Sequence, residues 1–215
     1  MGHVRMHGVF GIALGLAMSG FLLGAATPAA PSPAASQAAA RAVIDKLTGE
    51  VLAILRDATL ERPQKRQKVA ALAKGSLDFE TLARLTLGQY WRGLTPAQQA
   101  DFVQEYQKHI AATYGRTTDD YTDEDIAIAS DRQETNGDST VLTRIIGTKD
   151  GTRQEIAKVE YRLRQKEDGW KIIDVTIDGV SLMANFRAQF QEIMANGGID
   201  RVMKLLRDKN AAADQ

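Results

Sequence analysis

The chain has 215 residues, in which 27 lysines and arginines balance 27 aspartates and glutamates, and it contains no cysteine. A net charge of zero removes the basic field that drives non-specific binding to DNA or RNA, so we expect no nucleic-acid partner. The lack of cysteine excludes disulfides, a thiolate nucleophile, a cysteine-ligated zinc ion and acylation of the chain as a lipoprotein.

The first 35 residues have the order of a secretory signal peptide followed by a leader. A short segment with a positive charge at Arg5 precedes the apolar residues 9–23, and a stretch rich in alanine, proline and serine follows. The apolar run would span only about 22 Å as a helix, which is short of the ~30 Å hydrocarbon core of a membrane, and this favours a cleaved signal over a retained anchor. We therefore expect residues 1–35 to be signal peptide and flexible leader, and residues 36–210 to form one exported domain.

Helical periodicity begins at Ala38. Apolar residues recur every three or four positions, and capping residues separate the segments, such as Asp78 before one helix and Thr95-Pro96 with Gln98 before another. The pattern predicts four helices, over residues 38–57, 63–74, 79–87 and 96–118.

After Tyr121 the apolar period changes to two, which is typical of strands. Tight turns are predicted at Asn136-Gly137, Asp150-Gly151 and Asp168-Gly169. An amphipathic helix then runs from Ser181 to Ala195, and a short helix follows through Leu205. Helices before and after a curved antiparallel meander of four to five strands predict an α+β fold.

Two residues are candidates for a catalytic base. Asp174 lies in the middle of the last long strand, and His109 lies one position off the apolar stripe of its helix. Either could serve a small-molecule isomerase or hydratase of a cone-shaped α+β fold. The sequence favours structural roles instead, namely an outward aspartate paired with Arg162 or Arg164 across the sheet, and a partly exposed histidine.

Two segments of opposite charge stand out, the basic Arg62–Lys68 and the acidic Asp119–Asp125. Such runs are usually solvated faces, and they can also serve as docking surfaces for protein partners. If they are docking surfaces, charge reversal at Lys65 and Arg66 should weaken partner binding.

Large apolar residues are in surplus on the predicted helix and sheet faces. They either pack against one another as a closed core, or leave an elongated cleft between the curved sheet and the helices that suits an acyl chain. Periodicity does not separate these alternatives, and a closed core would suit a structural interaction protein.

Several blocks resemble the toluene-tolerance, or MlaC-type, family. They are Leu87–Arg92, Leu94–Gln99 with Phe102, Tyr161–Leu163, Gly169–Val175, Asp178–Leu182, Asn185–Arg187 and Gln189-Phe190. The resemblance extends from about Ala38 to Arg207, and the blocks occur in the family's order. One departure is Phe186, where the family more often has tyrosine.

The resemblance implies a soluble periplasmic carrier with no chemical step, cofactor or metal ion. Its ligand would be a diacyl phospholipid, with the acyl chains in a cone-shaped cleft between sheet and helices and the head group in water. Its partners would be an inner-membrane ABC transporter complex and an outer-membrane lipoprotein complex of the system that maintains outer-membrane lipid asymmetry. Some members of the family accompany hopanoid synthesis, so a hopanoid-associated carrier is the alternative. Within the resemblance, we predict that the cleft is lined by Trp91, Phe102, Tyr106, Val159, Tyr161, Val175, Leu182 and Phe186.

Overall fold

Helix α1 spans Pro33–Arg56 in the computed structural model, which describes residues 32–213. It begins before the predicted start at Ala38, because the Ser32 side chain accepts the amide hydrogen of Ala35 and a proline occupies the first turn. Residues 33–35, which we expected in the leader, therefore belong to this helix. The predicted signal peptide, within residues 1–31, lies outside the described residues.

Three further helices follow before the sheet. They are α2 (Arg62–Ser76), α3 (Phe79–Leu87) and α4 (Pro96–Gly115), with short 3₁₀ segments at Gly88–Gly93 and Arg116–Asp120. The predicted caps are confirmed. The Asp78 carboxylate accepts the amide hydrogen of Thr81 at 2.9 Å, and Thr95 and Gln98 exchange side-chain to backbone hydrogen bonds of 2.9 and 3.2 Å.

The sheet is a meander of five antiparallel strands in sequence order. The strands are β1 (Asp125–Gln133), β2 (Ser139–Lys149), β3 (Thr152–Lys166), β4 (Gly169–Ile177) and β5 (Val180–Ser181). Asp150 and Gly151 both have positive φ, at 52° and 74°, as a tight hairpin turn requires. The predicted α+β class is confirmed. The strand pattern had located the first four strands, and the two-residue β5 completes the sheet.

A bulge between β3 and β4 changes which side chains share a face. Arg162 pairs with Asp174 and Leu163 pairs with Ile172, so Ile173 has no partner in β3. Strict alternation along β4 would place Ile172 and Val175 on opposite faces of the sheet. The bulge brings both into the apolar cluster on the face covered by α1.

Helix α5 spans Leu182–Ala213 and continues beyond the predicted end at Leu205. The predicted boundary between the helix that ends at Ala195 and the short helix after it is confirmed as a break at Gly198, whose φ of 64° and ψ of −166° are essentially restricted to glycine. The additional turns pack on α4, where Asn210 donates to the Glu105 carbonyl at 3.1 Å and to its carboxylate at 2.9 Å. Within residues 32–213, no helix has the length and hydropathy needed to cross a membrane.

The interior is divided into two apolar clusters. The helical cluster is formed by α3, α4 and α5, and its centre is aromatic, with the rings of Phe102 and Tyr106 stacked at 5.4 Å and Phe190 edge-on to both. The sheet cluster lies between α1 and the sheet, around the buried side chains of Ile44 and Leu163.

Helix α2 lies where these clusters meet. Leu77, which directly follows α2, packs against both clusters and forms a parallel bridge with Ile172 of β4. The amide of Asp78 donates to the Ile172 carbonyl at 2.9 Å, and this fixes the end of α2 to the sheet.

Candidate functional site

Helix α2 covers the junction of the two clusters but contributes no buried residue to either. None of its fifteen residues, all of which the structure describes, is buried. Its sequence explains this, because alanine and charged residues predominate. Facing the interior are Val69 and Ala73, followed one turn later by Leu77, and we call these three side chains the α2 ridge. The ridge is too slight to fill the space beneath it.

A cavity of about 160 Å³ lies on one side of the ridge, and we call it the sheet-side chamber. It is bounded by α1, α2 and the sheet, and its lining contains no charged residue. The lining is Leu47, Thr48, Val51, Val69, Ala73, Ser76, Leu77, Ile126, Tyr161, Ile172 and Val175. Burial raises the pKa of the Tyr161 phenol, an effect that its hydrogen bond with Thr143 only partly offsets, so this lining residue is neutral.

A larger cavity of about 300 Å³ lies on the other side of the ridge, between α2 and α4, and we call it the helix-side chamber. Its lining is Arg66, Val69, Ala70, Ala71, Ala73, Lys74, Leu77, Phe79, Gln107, Ile110, Ala111, Tyr114 and Gly115. Most of these side chains are apolar, and burial raises the pKa of the Tyr114 phenol. The charged members are Arg66 and Lys74, which are cations of α2.

Polar contacts hold α2 at its two ends. Near its start, Lys65 Nζ donates to the Leu55 carbonyl at 2.6 Å, and Arg66 Nη1 lies 2.6 Å from Asp119 Oδ2. Near its end, Lys171 Nζ of β4 donates to the Gly75 carbonyl at 3.0 Å. The middle of α2 therefore lies over the two chambers, while hydrogen bonds and an ion pair hold its ends to the rest of the fold.

Ion pairs join the two charged segments to each other and to the rest of the chain. Asp119 binds Arg66, Asp123 binds Arg153, and Asp125 binds both Arg153 and Arg56. Three of the acidic side chains and one of the basic ones therefore neutralise partners within the chain. Arg62 and Lys68 stay exposed on α2.

Comparison with known proteins identifies the family. The family model described as MlaC protein matches residues 45–208. The chain belongs to the MlaC family. The resemblance detected from the sequence blocks is therefore confirmed.

Two relatives of this MlaC-family chain are informative. The toluene tolerance protein Ttg2D of Pseudomonas putida is 23% identical over 112 residues, which is 52% of this chain and 50% of the relative. The chain thus matches about half the length of that relative. The phospholipid-binding protein of Ralstonia solanacearum, whose structure was solved with a phospholipid, superposes with a TM-score of 0.71 at 22% identity. This match covers 82% of the present chain and 99% of the Ralstonia chain, and it shows that the two share a fold.

Of the eight lining residues predicted from the sequence, two line a chamber. Tyr161 and Val175 contribute to the sheet-side chamber. The other described residues of that set line neither chamber. Four of them, Trp91, Phe102, Tyr106 and Phe186, are buried in the helical cluster, Val159 is buried within the sheet, and Leu182 begins α5.

The contribution of α1 and α2 to the chambers was not predicted from the sequence. Leu47 and Val51 were visible as part of the apolar stripe of α1, but that stripe reads equally well as core packing. Val69 and Ala73 lie on a helix of low hydropathy, and small residues give no positive signal. The informative feature was an absence, since the apolar side chains that α2 itself directs at the chambers are only valine and alanine, which do not close the space beneath the helix.

Asp174 has a structural role that differs from the predicted one. Its carboxylate accepts hydrogen bonds from the Ser181 hydroxyl at 2.6 Å and from the amides of Val175 and Met183 at 2.9 and 3.2 Å, so it caps the start of α5. The expected partners Arg162 and Arg164 bind Asp138 instead, at 2.8 and 2.7 Å. Asp174 borders a polar depression on the other face of the sheet, but its oxygens are already occupied by these donors.

His109 is buried, and not partly exposed as the sequence suggested. Its ring packs edge-on to Phe186 at 5.5 Å between centroids. Burial lowers the pKa of this histidine, and the positive charge of Lys209 lowers it further, so the ring is neutral near pH 7. Among the described residues, no cluster of three histidine, aspartate or glutamate side chains could hold a metal ion.

Proposed function

We propose that the protein is a soluble periplasmic phospholipid carrier that holds acyl chains in the two chambers beside α2. The observation that carries the proposal is the pair of apolar cavities that meet at the α2 ridge. Hydrocarbon placed there leaves water at a gain of roughly 25 cal/mol per Å² of apolar surface. The shared fold of the Ralstonia phospholipid-binding protein supports the same ligand class.

The charge distribution favours a lipid whose polar end stays near the surface. The sheet-side chamber has no charged lining residue, so a phosphate placed there would lose its hydration without compensation. The cations of the lining, Lys74 and the Asp119-paired Arg66, belong to the helix-side chamber. A head group is therefore best accommodated at that opening, with the chains directed inward.

Lipid entry requires α2 to move outward. The chambers have volumes of about 160 and 300 Å³, at or below the lower end of the ~300–1,000 Å³ range of small-molecule sites. Because α2 buries none of its residues, shifting it exposes little core surface. The helix is thus suited to open and close over the chains while the sheet and the other helices stay in place.

The proposed carrier has no chemical step, and it would exchange lipid between an outer-membrane lipoprotein complex and an inner-membrane ABC transporter. The hydrogen-bonded Asp174 and the buried, neutral His109 support binding over catalysis. The division of the cavity by the α2 ridge favours flexible chains over a rigid hopanoid ring system, which could not bend around it.

Native mass spectrometry with lipid extraction tests this function on protein purified from the periplasm. We expect a stoichiometric diacyl phospholipid to co-purify and to transfer to acceptor vesicles. Lipid-free protein that also fails to take up lipid from vesicles would contradict the proposal. If the protein instead converted a small molecule, and Asp174→Asn abolished that turnover, the result would support an isomerase or hydratase.

A further inference from the structure

Resting on the proposed function, we infer that the two acyl chains of one phospholipid occupy different chambers, one on each side of the α2 ridge. The two linings have only Val69, Ala73 and Leu77 in common, and every other lining residue belongs to a single chamber. The cavity is therefore forked, with the ridge at the point of division.

The ridge is low enough for chains to reach both sides of it. Ala73 at its centre carries only a methyl group, and Val69 is the sole branched residue of α2 that lines the chambers. A chain that enters beside Arg66 and Lys74 meets the helix-side chamber first. The second chain passes beneath Ala73 to reach the uncharged sheet-side chamber, between α1 and Tyr161.

The alternative, with both chains on one side, fits the cavities less well. The helix-side chamber, at about 300 Å³, lies at the lower limit for small ligands, and the sheet-side chamber is about half as large. Placing both chains together would leave one apolar chamber without hydrocarbon. Placing one acyl chain in each chamber covers the apolar lining of both chambers.

Two substitutions can fill the chambers separately. Ala111 lines only the helix-side chamber and is exposed, so Ala111→Phe projects a ring into its opening without disturbing the core. Val51 lines only the sheet-side chamber and is half-buried, so Val51→Phe narrows that one. Matched controls are Ala100→Phe on α4 and Ala53→Phe on α1, both exposed alanines outside the two linings.

The experiment is native mass spectrometry of delipidated protein, titrated separately with a diacyl phosphatidylglycerol and with a single-chain lysophosphatidylglycerol. We expect the parent protein and both controls to bind one diacyl lipid or two single-chain lipids. Each chamber variant should bind one single-chain lipid, and its affinity for the diacyl lipid should fall about tenfold or more, since one chain loses its apolar site.

Two results would overturn the inference while leaving the carrier function intact. One is undiminished diacyl binding by Ala111→Phe together with loss of all lipid by Val51→Phe, or the reverse, because both chains would then share one chamber. The other is a parent protein that binds one diacyl lipid but only one single-chain lipid. A parent protein that binds neither lipid would contradict the proposed function itself.

Discussion

The Arg66 guanidinium lies 2.6 Å from the Asp119 carboxylate and so joins the two charged segments that the sequence presents as separate surfaces. The contact ties α2 to the 3₁₀ segment after α4, at the edge of the helix-side chamber. Only one carboxylate oxygen takes part, because Asp119 Oδ1 is buried without a hydrogen-bond partner among the described residues. Opening α2 would expose that oxygen to water, which offsets part of the loss of the ion pair.

The ion pair should therefore affect lipid exchange more than stability. Arg66→Ala or Asp119→Asn is expected to lower the free energy of unfolding by less than about 1 kcal/mol, since the pair is partly exposed. Lipid transfer to vesicles should become faster, because α2 opens more readily. Lys68→Ala, at an exposed cation of the same helix, is the control. Transfer at the same rate in all three variants would show that this contact does not restrain α2.

Charge reversal at Lys65 and Arg66 now has a second expected consequence. Reversal would break the bonds to Leu55 and Asp119 as well as any contact with a partner protein. Lipid exchange with protein-free vesicles separates the two effects, since no partner is present. We expect the reversed variant to exchange lipid faster in that assay. An unchanged rate would mean that Lys65 and Arg66 do not restrain α2 and can act only in docking to a partner.

The core assignment of Tyr106 can be tested by removing one hydroxyl. Tyr106 is fully buried, its hydroxyl lies 3.1 Å from Thr86 Oγ1, and burial raises the pKa of its phenol. Tyr106→Phe should lower the free energy of unfolding by about 1–2 kcal/mol, since Thr86 loses its partner. Lipid bound per folded molecule should not change. A loss of lipid without a loss of stability would place Tyr106 at the ligand after all.

Asp138 should make stability sensitive to acid. Its side chain is 2% exposed. Burial alone would raise the pKa of this carboxyl, but Arg164 and Arg162 hold it below its ordinary value. Asp138→Asn is expected to cost about 2–3 kcal/mol near pH 7, as for hydrogen bonds to charged groups.

The direction of the pH dependence follows from the lowered pKa of Asp138. The carboxylate contributes its full stabilisation above its unfolded-state pKa of ~4 and loses it as the pH falls through the folded-state value. Urea unfolding at a series of pH values should therefore show the parent and Asp138→Asn curves converging in acid. A difference that stays constant down to pH 2 would contradict this ionic role.

Two glycines make a matched test of backbone conformation. Gly198 has φ 64° and ψ −166°, so Gly198→Ala should cost about 1–3 kcal/mol. Gly49 lies in the interior of α1 with open space around it, so Gly49→Ala should stabilise by about 0.5–1 kcal/mol. Thermal unfolding of both variants measures the difference. Equal effects would mean that α5 is continuous at Gly198 in solution.

The sequence predicted the architecture well because its local signals are strong. The Thr95–Gln98 capping box, the Asp150-Gly151 turn and the Gly198 break each depend on neighbouring residues alone. The register of β4 was predicted less well. One extra residue at Ile173 reverses the alternation of side chains between the two faces that follows it, and no residue type is diagnostic of a bulge.

The candidate site was harder to predict, for a physical reason. Large aromatic residues such as Phe102 and Phe186 suggest a lipid site, but they pack efficiently on one another and fill their own space. A cavity forms where side chains are too small to meet, as at Ala73. The predicted residues Tyr161 and Val175 line the sheet-side chamber because they lie on the strands opposite that gap.

A crystal structure of the protein purified with its native lipid tests the central claim most directly. We predict acyl-chain density in both chambers, with carbon atoms within about 4.5 Å of Ile110 on one side of the ridge and of Tyr161 on the other. The helical cluster around Phe102 should be unchanged. Lipid density within that cluster, or confined to the polar face of the sheet beside Asp174, would contradict the account.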